Sequence, residues 1–384
     1  MISQTGRVNA FIDLDACACN FEMMRRKLKD GTKMCAVIKA DGYGHGAIPI
    51  AKMVEEYPYI WGFAVATADE ALTLRKAKIS KPILILGPVF PEEHERLIRE
   101  DVRMAVSDMT SALEISKTAE DLGKRAYLHA AFDTGMSRIG FSADDEGCDE
   151  VEKISRLPGI TLEGVFTHFA RADETDKENA LAAYARFEYC LNNLKEKGVS
   201  VPIRHCANSA AILEMPGVHL DMVRAGISIY GIYPSDEMVR EISPLAPVMS
   251  LKSRITALRT ISAGTSVSYG GRFTAERDVR VATIPVGYAD GYPRSLSGKG
   301  SVLIGGKRAP ILGRVCMDQM MVDVTGLDVS LRDEVTLMGK DGDDEISVYE
   351  LSELSGRFPY EFVCDISGRV KRIWIRDGKR IGPS

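Results

Sequence analysis

The chain has 384 residues, 45% hydrophobic and 27% charged, with a formal net charge of −5. That length accommodates two domains and a large core. The acidic balance, with no polybasic run and no apolar stretch of about 20 residues, argues against nucleic acid, a membrane surface or a membrane span. The eight cysteines, at 17, 19, 35, 148, 190, 206, 316 and 364, form no C-x-x-C pair, and the six histidines form no H-E-x-x-H. Neither a disulfide framework nor a metal site is expected, and reduced core thiols are the simplest reading. Met1–Thr5 lack the basic-then-apolar pattern of a secretory signal, so cytoplasmic residence is expected.

In chain order, a strand near Arg7–Ile12 is free to pair with either domain, and Asp15 reads as the N-cap of a helix near Asn20–Lys29. Short apolar strands then alternate with helical stretches. The strands are Met34–Ile38, Trp61–Val65, Ile83–Leu86, Arg103–Val106, Ala126–Ala131, Leu162–Thr167, Ile203–Cys206 and Leu220–Val223. Thr67–Lys76, Pro91–Glu100, Met109–Glu120 and Lys177–Lys195 are among the helices between them. This alternation predicts an α/β fold with an N-terminal (β/α)8 barrel; an open doubly wound sheet is the alternative. After about residue 240 the pattern turns to strands, at Val248–Arg259, Val279–Pro285, Ser301–Ile304, Met320–Val324 and Glu334–Leu337, separated by Gly-containing turns. The expected domains are a barrel over 1–240, whose residues 1–12 are free to pair elsewhere, and a mostly β domain over 241–384.

Polar residues gather at the predicted strand ends, where barrels place their chemistry. Lys39 follows the first barrel strand and leads into Gly42-Tyr43-Gly44-His45-Gly46. A lysine closing an apolar strand either snorkels to water or is an amine held ready for Schiff-base chemistry. The glycines after it are not a dinucleotide fingerprint, because G-x-G-x-G is the wrong spacing. Asp133-Thr134-Gly135-Met136-Ser137-Arg138 follows the fifth strand, His168 the sixth, Asn208 and Ser209 the seventh, and Arg224 the eighth. Singly, each has a plain structural reading: a surface ion pair for Arg138, a satisfied core histidine for His168, a helix N-cap for Ser209. Together on one predicted face they define a site. Ser209 offers a hydroxyl and Gly226 and Ile227 offer backbone N–H groups, at the strand ends where barrels commonly hold phosphate. A Schiff-base lysine with a phosphate cradle points to pyridoxal 5'-phosphate.

With these residues in place, the chain resembles the alanine racemases over nearly its whole length. Ala36–Gly46 is similar to that family's cofactor-lysine segment and Asp133–Gly140 to its D-T-G-M-x-R-x-G segment; Thr167–Phe169, Asn208–Ala210 and Arg224–Gly231 match three more. In the β domain, Ser268-Tyr269-Gly270 resembles the catalytic tyrosine segment, and Gly287–Gly291 and Cys316–Gln319 match two others. The resemblance implies that Lys39 links to the cofactor and then serves as one base, with Tyr269 as the other. It implies that Arg224 bonds the pyridine nitrogen and that His168 connects Arg224 to Tyr269. Tyr43, Ser209, Gly226, Ile227 and Tyr360 are the implied phosphate-side contacts. Arg138, Met317, Asp318 and Tyr288 are the implied substrate-side residues. A head-to-tail homodimer with composite sites, alanine as substrate, and D-alanine supply for peptidoglycan are implied as well.

The chemistry is coherent, since racemisation removes a proton from one face of the α-carbon and returns it to the other. A free tyrosine, with a pKa of about 10, needs neighbouring cations to act as a base. The chain departs from the pattern at Ala131, where many members carry a carbamylated lysine bonded to the substrate arginine, and chloride or water is expected to replace that charge beside Arg138. It departs again at Gly368, where a tyrosine is common. Three other functions compete: racemisation of another small amino acid such as serine, decarboxylation on a related barrel, and a non-catalytic cofactor-holding protein. Arg224 argues against the second and the Tyr269-bearing β domain against the third.

Overall fold

Eight parallel strands carry the first half of the computed structural model, which describes residues 6–381. The expectation drawn from Met1–Thr5 lies outside those residues. The strands are Lys33–Val37, Ile60–Val65, Ile83–Ile85, Val102–Val106, Ala126–Asp133, Ile160–Phe166, Ile203–His205 and Met222–Ala225. Neighbours pair down the series, and the last strand returns to pair with the first. The seventh and eighth share no ladder; they are bridged by Asp221 N–H to Arg204 O at 3.2 Å and Arg224 N–H to Ala207 O at 2.9 Å, and by the Arg204 guanidinium on Asp221 at 2.6 Å. The result is a parallel near-barrel with helices on its outside.

The sequence explains these elements. Strands covered on both faces read as continuous apolar runs, and Cys35, Ala36, Ile38, Phe63, Ala64, Ile83 and Leu84 are fully buried. The intervening helices open on side-chain caps: Thr67 accepts from Glu70 N–H, Asp108 from Ser111 N–H and Asp144 from Gly147 N–H. Such caps contribute about 1 kcal/mol each. One expected cap is misplaced. The first helix runs Leu14–Arg25, and Asp13 caps it, accepting from the Asp15 and Ala16 N–H groups at 2.9 Å each. Asp15 lies inside the first turn. The eighth strand also begins two residues later than expected, because Leu220 sits at φ 53°, outside the extended region a strand requires.

By its internal contacts the chain divides into two compact units. One holds residues 18–42 and 47–246; the other gathers, of the described residues, 6–17, Tyr43–Gly46 and 247–381. In the second unit Val8–Asp13 pairs antiparallel with Met249–Arg254 and parallel with Lys371–Arg376. From Met249–Arg254 the sheet continues through Glu334–Asp341, Ser301–Ile304, Lys307–Leu312, Met320–Asp323 and Val279–Ile284 to Ala257–Ile261. The single strand expected over Val248–Arg259 is two. At the break Ile255 N–H bonds Asp333 O (3.0 Å) and Thr256 N–H bonds Thr283 O (2.9 Å), so the chain exchanges one strand partner for another. No helix among the described residues is long and apolar enough to cross a membrane, and none of the eight cysteines is in a disulfide.

Candidate active site

Lys39 is delivered by the end of the first barrel strand. Ile38 N–H still bonds Ala64 O on the neighbouring strand at 2.9 Å. The chain then turns left-handed: φ is 51° at Ala40, 49° at Asp41, 62° at Gly42 and 50° at Tyr43. Gly42 N–H closes the turn on Ile38 O at 2.8 Å. For L-residues this conformation costs roughly 1–2 kcal/mol each, and strain of this kind persists only where the surroundings hold it.

Arg224, on the eighth strand, is 3% exposed. Its Nη1 donates to His205 Nδ1 at 2.8 Å and to His205 O at 3.1 Å. Its Nη2 donates to Thr167 O at 2.7 Å, Cys206 O at 3.1 Å and His168 Nδ1 at 3.2 Å. Among the described residues nothing accepts from its Nε–H, and no carboxylate lies within ion-pair distance of the guanidinium. Burial lowers its pKa to about 10, which still leaves it charged at neutral pH. Because arginine only donates, His205 Nδ1 must accept. His205 Nε2–H then donates to His129 Nδ1 at 2.8 Å, and His129 Nε2–H to Glu163 at 3.1 Å. Glu163 in turn pairs with Arg103 at 3.2 Å. Burial and the Arg224 charge hold His205 well below the usual histidine range; burial, opposed by Glu163, lowers His129. The relay is therefore neutral at both imidazoles. His168 is also held well below its usual range, by burial and by the charges of Arg224, Arg138 and Lys39, and its Nδ1 accepts, which leaves Nε2–H as a donor.

Ser209 opens the helix Ser209–Glu214, capped by Asn208, which accepts from Ala211 N–H. Its Oγ accepts from Gly226 N–H at 3.0 Å and Ser228 N–H at 3.4 Å, so its own proton is left to donate. Asp133 accepts from the Gly135, Met136 and Ser137 N–H groups at 2.9, 3.0 and 3.0 Å and so shapes the turn that carries Arg138. Burial works to raise the Asp133 pKa, and these three bonds hold it below the ordinary carboxylate value. Arg138 is exposed and has no carboxylate partner among the described residues. Ala131 is buried beside Ala105 and Phe166 in an apolar cluster.

Tyr43, Tyr269, Tyr288, Met317, Asp318 and Tyr360 belong to the second unit; the other candidates belong to the barrel unit. The Tyr43 and Tyr360 rings meet edge-on, with centroids 6.1 Å apart. The segment Tyr43–Gly46 is gripped there: Arg372 Nε donates to Gly44 O at 2.9 Å and Trp374 Nε1 to His45 O at 2.8 Å. Gly44 must lack a side chain, since a Cβ would sit 2.3 Å from Val363 O. The loops of Tyr288 and Met317 are zipped by Tyr288 N–H to Cys316 O (3.1 Å) and Ala289 N–H to Met317 O (3.0 Å). The Ser268 hydroxyl donates to Arg314 O at 2.8 Å, anchoring the residue before Tyr269 to the loop of Met317. Asp318 pairs with Arg369 at 2.6 Å. Tyr269 is 71% exposed, Tyr288 43% and Met317 52%. Gly368 faces open space.

Two family models match, the alanine racemase N-terminal domain over residues 12–234 and the alanine racemase C-terminal domain over 248–374. The chain belongs to the alanine racemase family. It is 43% identical over 367 residues to the alanine racemase of Desulforamulus reducens, covering 95% of this chain and 98% of that one. An alanine racemase structure from Clostridium difficile superposes with a TM-score of 0.95 at 38% identity, covering 99% of this chain and 98% of that one. The Bacillus anthracis alanine racemase with bound L-Ala-P superposes with a TM-score of 0.93 at 38% identity over the same shares of each chain. As a member of this family the chain is an isomerase. Sequence reasoning passed over His129, His205 and Glu163. The available signal was a polar residue at an inward position of three apolar strands, which demands a buried partner.

Proposed function

We propose that this protein interconverts L- and D-alanine with pyridoxal 5'-phosphate, using Lys39 and Tyr269 as its two bases. The observation that carries the reading is Arg224: a buried cation with no counter-charge among the described residues and one N–H uncommitted. Such a group calls for an electron-rich acceptor, and an unprotonated pyridine nitrogen is one. The donor set fits the rest of the cofactor. Ser209 has a proton to give, Ile227 follows the eighth strand behind Gly226, whose own N–H is spent on the Ser209 oxygen, and the hydroxyl-bearing Tyr43 and Tyr360 rings meet edge-on.

When bound, the cofactor supplies an electron sink that acidifies the α-C–H of alanine. Lys39 and Tyr269 each take or return the α-proton, one on each face of the carbon. Arg224 stays protonated and keeps the ring nitrogen unprotonated, which limits the sink and with it misdirected protonation. His168 offers its Nε2–H toward the tyrosine base, while Arg138, Met317, Asp318 and Tyr288 hold the substrate side. The exposure of Tyr269, Tyr288 and Met317 in the single chain supports a head-to-tail homodimer in which they complete the partner's site. Residence in the cytoplasm and supply of D-alanine for peptidoglycan follow from the same reading.

Chiral chromatography of L-alanine incubated with the purified protein and cofactor tests it. Equal amounts of both enantiomers are expected from the wild type, with a loss of about 10²–10⁴-fold in Tyr269→Phe. Bound cofactor without D-alanine overturns the reading in favour of another substrate or a cofactor-holding role. Serine differs from alanine by one hydroxyl, which a small apolar pocket rejects only about a hundredfold, so slow serine racemisation is expected alongside.

A further inference from the structure

Glu70 sits at the third position of the helix Ala68–Lys76, where it forms a capping box with Thr67. A capping box ordinarily satisfies the N-cap N–H alone. Here the carboxylate does more. Its Oε2 accepts from Ala66 N–H at 2.8 Å and Thr67 N–H at 3.2 Å, while its Oε1 accepts from Ala40 N–H at 2.6 Å. Ala66 and Thr67 follow the second barrel strand, and Ala40 is the residue after Lys39. One side chain therefore ties the left-handed turn behind Lys39 to the mouth of the adjacent strand.

The turn needs such a tie. Ala40, Asp41 and Tyr43 are L-residues at φ near 50°, in a conformation that is unfavourable without external bonds. Inside the turn, Gly42 N–H bonds Ile38 O at 2.8 Å and Asp41 accepts from Ala47 N–H at 2.9 Å. The Gly42 bond returns to Ile38, the residue before Lys39, whereas the bond from Ala40 N–H ties the residue after Lys39 to the end of a neighbouring strand. Charge-assisted bonds of this length are about twice as strong as neutral ones. We infer that Glu70 is a positioning residue for Lys39, its carboxylate bracing the strained turn that fixes the direction in which the lysine leaves the strand. The inference rests on the reading of Lys39 as cofactor link and base.

Glu70→Gln isolates the brace. A glutamine has one carbonyl oxygen and one NH₂, and the oxygen is drawn to the two N–H groups of Ala66 and Thr67. The NH₂ then faces Ala40 N–H, donor against donor, so the cap survives and the turn is released. Thr67→Ala is the opposite control: it removes the hydroxyl that accepts from Glu70 N–H at 3.3 Å and leaves the carboxylate in place. The readouts are amide hydrogen exchange at Ala40 in the cofactor-free and cofactor-loaded protein, and kcat and KM for alanine. In Glu70→Gln, Ala40 exchange should accelerate at least about tenfold in both forms. Its kcat should fall about ten- to a hundredfold, the range expected for a group misplaced by about an ångström, with KM changed by less than about threefold. Thr67→Ala should leave both kcat and Ala40 exchange within about threefold of wild type. Wild-type kcat and exchange in Glu70→Gln overturn the inference, as does Thr67→Ala reproducing the losses, which assigns them to the helix. Racemisation by Lys39→Ala overturns the underlying reading instead, whatever Ala40 exchange shows.

Discussion

His205 and His129 meet nitrogen to nitrogen, Nε2 to Nδ1, at 2.8 Å. One must donate and the other accept, and Arg224 decides which, because its guanidinium occupies His205 Nδ1 as a donor. A chain of defined polarity thus runs from Arg224 through two neutral imidazoles to Glu163. Arg224→Lys tests it. The guanidinium serves five acceptors through two nitrogens, and an ammonium has three donors. At least two of the five bonds are lost; His205 O keeps the Thr167 N–H, so at least one buried acceptor is left without a partner, at roughly 1–3 kcal/mol. Urea unfolding of the cofactor-free protein should show a loss of about 1 kcal/mol or more; an unchanged midpoint and slope would contradict the polarity assigned here.

Acid should unfold the protein through its histidines. His129, His168 and His205 are all lowered from the usual value of 6.5 by burial. The unfolded chain takes up these protons below about pH 6.5 while the folded chain resists, so their stabilising effect is full above that pH and declines as pH falls toward the folded values. Each contributes a slope of about 1.4 kcal/mol per pH unit in that window. Stability measured at intervals from pH 8 to pH 5 should be level at first and then fall steeply. The fall should shrink in His129→Asn, whose side chain no longer titrates.

Among the described residues Arg138 has no carboxylate partner, and Ala131 lies in an apolar cluster with Ala105 and Phe166. With chloride as the replacement, KM for alanine should rise several-fold when chloride is exchanged for a bulky organic anion at constant ionic strength. An equal KM in both buffers leaves water in that role.

If Tyr269, Tyr288 and Met317 complete a partner's site, specific activity should fall on dilution, in step with the dimer fraction measured by sedimentation. Mixing Lys39→Ala with Tyr269→Phe should then restore activity, since one of the two sites in a mixed dimer keeps both bases. Full activity from a sedimenting monomer would refute the composite site.

Much of the barrel was legible because its strands are buried on both faces, and runs such as Met34–Ile38 announce that environment directly. The β unit was less so. Lys307–Leu312 and Lys371–Arg376 carry charged residues and, in the former, Pro310; they are strands because of their neighbours, not their own composition. The candidate residues at strand ends were readable one by one, since Lys39, His168 and Arg224 each follow an apolar run. Glu70 was not, because in sequence it is simply one acidic residue in the expected helix Thr67–Lys76. Its bond to Ala40 depends on two strand ends lying side by side, which no local pattern encodes.

The position of Val8–Asp13 between Met249–Arg254 and Lys371–Arg376 sets the timetable of synthesis. Val8–Asp13 leaves the ribosome about 20–70 seconds before the Lys371–Arg376 strand that pairs with it, at 5–20 residues per second. The barrel strands emerge and can close in the interval, but Val8, Ala10, Phe11 and Ile12, all destined for burial, must wait uncovered. Until Lys371–Arg376 emerges, a nascent chain of this design carries an apolar strand with one edge unpaired, and its yield in the cell should depend on what shields that edge.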